Sequence, residues 1–149
     1  MKPHRKTLLM LLLCLTTAVS YSQADLRPKV FQNFPENFVV NESFFQNVFQ
    51  AAEGQDVSFA LSSNFNFPGK VLSNELKYSN LRSVTIKSAI FDNAIMHLSK
   101  ITNEDNSFTY VGRIMNERSF DGYEIRKGTD GTYSFKKFET GRIMQDCNF

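Results

Sequence analysis

From Val57 to Phe135 apolar and polar residues alternate in short runs, with turn-forming residues about every eight to twelve positions. Val57, Phe59 and Leu61 alternate with Asp56, Ser58, Ala60 and Ser62. The same period of two carries Val84, Ile86, Ser88 and Ile90, then Phe108, Tyr110, Gly112 and Ile114. Further strands are expected at about 70–78, 94–101, Tyr123–Lys127 and around Tyr133 and Phe135. A period of two places every second side chain on one face, so these runs are strands with one face buried. Turns are expected at Pro68-Gly69, Asp92-Asn93, the polar stretch 102–107, Asp121-Gly122 and Asp130-Gly131. Strands joined this closely pair antiparallel with their sequence neighbours. The expected fold is therefore α+β but mostly β: an antiparallel meander sheet of six or seven short strands, with one N-terminal helix packed on it.

The helix is expected at about 42–53. Phe44, Phe45, Val48, Phe49 and Ala52 share one helical face. Asn41 can accept from a first-turn N–H, and Glu42 places negative charge where the helix dipole favours it. Gly54 suits the left-handed position that ends a helix. Before it, Pro28 and Pro35 disfavour helix, so 23–40 reads as an extended lead-in, and 41–149 as a single domain.

Ahead of the lead-in, Lys2, His4, Arg5 and Lys6 precede the apolar run Thr7–Val19, and small residues stand at its end and just after it, at Ala18, Ser20 and Ser22. That is the three-part pattern of a secretory signal peptide. The run is shorter than the roughly 20 residues that a bilayer span requires. Residues 1–22 are read as the signal, with cleavage after Ser22 favoured over cleavage after Ser20. No transmembrane segment is expected after cleavage, and the chain is expected outside the cytoplasm, periplasmic or extracellular. Removing 1–22 takes Lys2, Arg5 and Lys6 and turns the net charge of +2 into −1. A near-neutral chain lacks the clustered basic surface of a nucleic-acid binder, so no nucleic-acid partner is expected.

The remaining residues limit the chemistry. His97 becomes the sole histidine and Cys147 the sole cysteine. One of each cannot build a zinc site of the usual nitrogen and sulfur kind. A Cys–His pair would depend on a terminal residue being held rigidly. His97 alternates with Met96 and Leu98, which places it on the solvent face. The loop Asn103, Glu104, Asp105, Asn106 offers oxygens without the order of a calcium loop, and reads as a turn. No metal, cofactor or catalytic residue is assigned, and the chain is read as not an enzyme. Acids assembled in space from distant positions remain an alternative.

Phe31, Phe34, Phe38, Phe44, Phe45 and Phe49 crowd one short stretch. Helical spacing assigns the last three to the core. Phe31, Phe34 and Phe38 sit on the extended segment and are either core or an exposed aromatic strip for a partner. Cys147, unpaired in an exported chain, is either a free thiol or the link of a disulfide-bonded homodimer.

The segments SVTIKSAIFDNAIMHLSKI, FTYVGRIMN, DGYEIRK and TYSFKKFETGRIMQDC, between Leu81 and Cys147, resemble small exported proteins of uncharacterised function from Bacteroidetes-type bacteria. The resemblance carries no catalytic residue. The functional expectation is an exported, non-catalytic binding or envelope-associated module whose partner is a protein or cell-envelope component. The alternatives are a hydrolase of an envelope polymer and a small protease-inhibitor or pro-segment-like module.

Overall fold

The computed structural model describes residues 27–140. The signal segment 1–22 and Cys147 lie outside the described residues. Eight strands form one antiparallel sheet: β1 Asn37–Val40, β2 Asp56–Ser62, β3 Phe65–Tyr78, β4 Leu81–Lys87, β5 Ile95–Thr102, β6 Phe108–Met115, β7 Asp121–Lys127 and β8 Tyr133–Glu139. The one helix among the described residues, α1 (Glu42–Gln50), lies between β1 and β2. Strands β2 to β8 follow one another as a meander, and β1 adds to β8 at the far edge. The two edge strands, β1 and β2, approach each other with no ladder between them, so the sheet is nearly barrel-shaped.

The architecture has eight strands where six or seven were expected, and the additional one is β1. Its sequence, Asn-Phe-Val-Val, buries Phe38 and Val40 while Val39 is 65% exposed. Apolar residues on both faces hide the alternation. Its register, Phe38↔Phe135 and Val40↔Tyr133, joins positions distant in sequence. The last four residues of the lead-in, Asn37–Val40, are thus a strand of the sheet.

Helix α1 begins as its residues dictate. The Asn41 Oδ1 accepts from the Phe44 N–H at 3.0 Å, and Phe44, Phe45, Val48 and Phe49 are buried. It stops at Gln50, three residues before the expected end. The Nδ2 of Asn74, on β3, donates to the Phe49 carbonyl at 3.0 Å and to that of Ala51 at 2.8 Å. The chain leaves in extended conformation at Ala51. Gly54 does take a positive φ of 79°, but in the following turn rather than at the helix end.

Two expected turns belong to strands. Pro68-Gly69 lies inside β3, paired with Ser58 and Val57, and the hairpin reverses at Ser63-Asn64 instead. Proline is tolerated there because the β3–β4 ladder starts only at Lys70↔Lys87, so no bond to β4 needs its N–H. Gly69 allows close approach, since a Cβ would stand 2.7 Å from the Lys87 carbonyl oxygen. Asp121-Gly122 opens β7, and the loop occupies 116–120.

The inner face holds an aromatic core. Phe65 contacts the rings of Phe31, Phe34, Phe38, Phe91 and Tyr123, with centroids 4.4–5.9 Å apart. At the helix end Phe45 stacks on Tyr110 at 3.9 Å and 4°. Phe31 is fully buried, Phe38 is buried, and Phe34 is partly buried against the same cluster. The three rings therefore form no exposed aromatic strip; the alternation of β1 and the turn at 30–33 direct them inward.

Candidate functional site

With the inner face filled by side chains, a ligand site belongs on the outside of the sheet. The register aligns two outward rows there. One runs Lys87↔Ile95↔Met115 and the other Thr85↔His97↔Arg113. Loops 88–94 and 116–119 both adjoin the Lys87–Ile95–Met115 row, and Asn116 reaches Asp92 from one to the other. Together they bound a groove of about 540 Å³ at one end of β4, β5 and β6.

Ile95 and Met115, both partly buried, are the apolar lining. Lys87, His97, Arg113 and Arg118 supply donors, and Asp92 and Glu117 are the carboxylates of the same groove. Lys87 and Arg118 make no ion pair among the described residues. Arg113 stands 3.9 Å from the Glu124 carboxylate, and its guanidinium lies 5.8 Å from the centre of the Phe138 ring. The His97 Nδ1 is 3.1 Å from the Thr85 hydroxyl. The three permanent cations outnumber the two lining carboxylates, so the groove carries a modest positive surplus.

The wall is held rather than loose. Asp92 and Asn93 take positive φ values of 49° and 62°, which non-glycine residues adopt seldom and asparagine and aspartate most readily. Asn116, buried, donates through Nδ2 to the Asp92 carbonyl and, at 3.3 Å, to the Asp92 carboxylate. The Asn116 Oδ1 in turn accepts from the Arg118 N–H at 2.7 Å, fixing the backbone that presents Arg118.

A smaller concavity of about 180 Å³ collects the carboxylates of Glu36, Asp121 and Glu139 beside Lys29 and Lys137. Each acid there has a partner. Glu36 pairs with Lys137 at 2.8 Å, and Glu139 lies 3.4 Å from Lys29. Asp121 accepts from the Phe31 N–H at 3.0 Å and the Ser119 hydroxyl at 2.7 Å. These acids fasten the lead-in to β7 and β8.

The residues singled out by sequence fall in several places. His97 is exposed, as its alternation implies, and it joins the groove. The loop 103–106 is a turn: Asp105 accepts from the N–H and hydroxyl of Ser107, and these bonds hold its carboxyl below the ordinary range. No group of three or more metal-ligating side chains occurs among the described residues. None of the described helices is long and apolar enough to cross a membrane. Lys87, Ile95, Arg113, Met115 and Arg118 were not singled out by sequence. Their signal is the outward phase of three strands, and it becomes a site only when the register places those phases side by side. Comparison with protein-family models, with curated proteins and with solved structures finds no match to this chain.

Proposed function

We propose that this chain is an exported, non-catalytic binding module, and that the groove over β4, β5 and β6 holds a cell-envelope component with a negative group next to an apolar body. The observation that carries this reading is the pairing of an apolar floor, Ile95 and Met115, with cations that make no ion pair among the described residues, Lys87 and Arg118. An apolar floor with a few convergent polar groups is the usual composition of a ligand site. Arginine suits carboxylate or phosphate recognition because its planar donors engage two oxygens at once. Partly exposed cations act here through orientation and attraction more than through stability.

The test is a titration of ¹⁵N-labelled protein with decanoate, an anionic head on an apolar chain, and separately with inorganic phosphate. Decanoate is expected to shift the amides of Ile95, Arg113 and Met115 saturably, and phosphate to bind more weakly at the same place. Arg113→Ala combined with Arg118→Ala is expected to weaken decanoate binding about tenfold, the loss of one or two charge-assisted contacts. Absence of saturable shifts at those amides with both probes overturns the site. Hydrolysis of an envelope glycan that disappears in Asp92→Asn with Glu117→Gln would replace the binding reading with the hydrolase one.

A further inference from the structure

Strand β3 is fourteen residues long, but β2 pairs with it only as far as Lys70. At Val71 the backbone still has partners on that side: its N–H donates to the Gln55 carbonyl at 2.9 Å and its carbonyl accepts from the Gly54 N–H at 2.8 Å. Beyond Val71, β4 continues to pair on one side through Tyr78↔Leu81, with register shifts between Val71 and Ser73 and between Leu76 and Tyr78, while no strand among the described residues pairs on the other. Glu75 to Tyr78 are all exposed, with Leu76 at 60% and Tyr78 at 69%. An open backbone edge flanked by large apolar side chains is a template for adding a strand.

The residues on this edge also indicate which strand. Glu75, Leu76 and Lys77 form a charge-reversed triplet about Leu76. Glu75 and Lys77 already contact each other as an ion pair, so both reach the same side of the strand. A lone edge lysine repels a second copy, but a glutamate two positions away reverses that effect under twofold symmetry. With a twofold axis at Leu76, each Glu75 stands opposite the other copy's Lys77 and Leu76 stands opposite Leu76. An interface of this kind is self-complementary, as a twofold dimer requires.

We propose that residues 74–78 of β3 pair antiparallel with the same residues of a second copy of this chain, about a twofold axis at Leu76, forming one sheet continuous across a homodimer. Backbone bonds along the edge supply the affinity, and the Glu75–Lys77 pairs set the register. This surface is separate from the groove.

Sedimentation equilibrium of the full chain, under reducing conditions and with Cys147→Ser, reads the outcome without disulfide links. A reversible dimer is expected. Glu75→Lys puts lysines opposite Lys77 twice over and is expected to weaken association about tenfold. Glu75→Lys with Lys77→Glu restores opposite charges and is expected to return affinity to within about threefold of the parent. Leu76→Lys is expected to abolish the dimer, with thermal unfolding of each variant reporting that the fold persists. A monomer from micromolar to millimolar concentration overturns the proposal. So does a dimer unmoved by Glu75→Lys and Leu76→Lys, or a dimer that forms only under oxidising conditions through Cys147.

Discussion

Tyr110 and Tyr123 show how single residues of this core combine packing with polar ties. The Tyr110 ring stacks on Phe45, while its hydroxyl donates to the Glu42 carboxylate at 2.7 Å and so joins β6 to the first turn of α1. The Tyr123 hydroxyl donates to the Pro35 carbonyl at 2.6 Å, joining β7 to the lead-in. Burial pushes both hydroxyls above the ordinary tyrosine range, with Glu42 adding to the effect on Tyr110, and Glu36 and Asp121 on Tyr123. Each therefore stays protonated in the folded chain at a pH where it ionises in the unfolded one. Their contribution to stability is fully present below the unfolded value, about pH 10, and is lost as pH rises from there toward the folded values. Denaturant unfolding from pH 8 to 11.5 is expected to show a loss beginning near pH 10. Tyr110→Phe with Tyr123→Phe is expected to flatten that loss. A parent and double variant with parallel curves would show that these hydroxyls do not govern alkaline stability.

At the scale of elements, the two ends of α1 are held by different means. Asn41 caps the N-terminus locally, and Asn41→Ala is expected to cost about 1 kcal/mol. Asn74 caps the C-terminus from β3, and its Oδ1 also accepts from the Arg82 guanidinium at 2.9 Å. Asn74→Ala leaves the Phe49 and Ala51 carbonyls and Arg82 without that partner and is expected to cost about 2 kcal/mol. Urea unfolding of the two variants checks the order; an equal or smaller loss at Asn74 would show that solvent satisfies those carbonyls. This difference in reach explains what the sequence could reveal of the fold. The start of α1 and the hairpin at Asp130-Gly131, where Gly131 has a φ of 84°, rest on neighbours in the chain and were legible. The stop of α1 rests on a residue more than twenty positions away and was not. Pro68-Gly69 misled for the same reason: its place inside β3 depends on where the β4 ladder begins.

At the scale of the whole molecule, near-closure of the sheet depends on the lead-in, which brings Phe31 into the core and β1 to β8. The groove depends on the same long-range order. His97 was readable as outward-facing, but its neighbours Lys87 and Arg113 meet it only through register across three strands, set partly by the length and positive-φ geometry of loop 88–94. Among the ties on the lead-in, one is a buried node. Asp121 accepts from the Phe31 N–H and the Ser119 hydroxyl, and the Ser119 Oγ lies 3.2 Å from the Pro28 carbonyl. Asp121→Ala removes the acceptor and leaves a buried N–H unsatisfied, with an expected loss of about 2 kcal/mol. Phe31→Ala empties a fully buried ring position, with an expected loss of about 3–5 kcal/mol. The two substitutions separate in where the chain opens. Detaching 28–31 should expose the Lys29–Val30 bond, so Asp121→Ala is expected to be cut there by trypsin several-fold faster than the parent. Arg27 precedes Pro28, which leaves Lys29 as the informative site. Unchanged cleavage at Lys29 together with unchanged thermal stability would mean that Phe31 and β1 hold the lead-in without the Asp121 node.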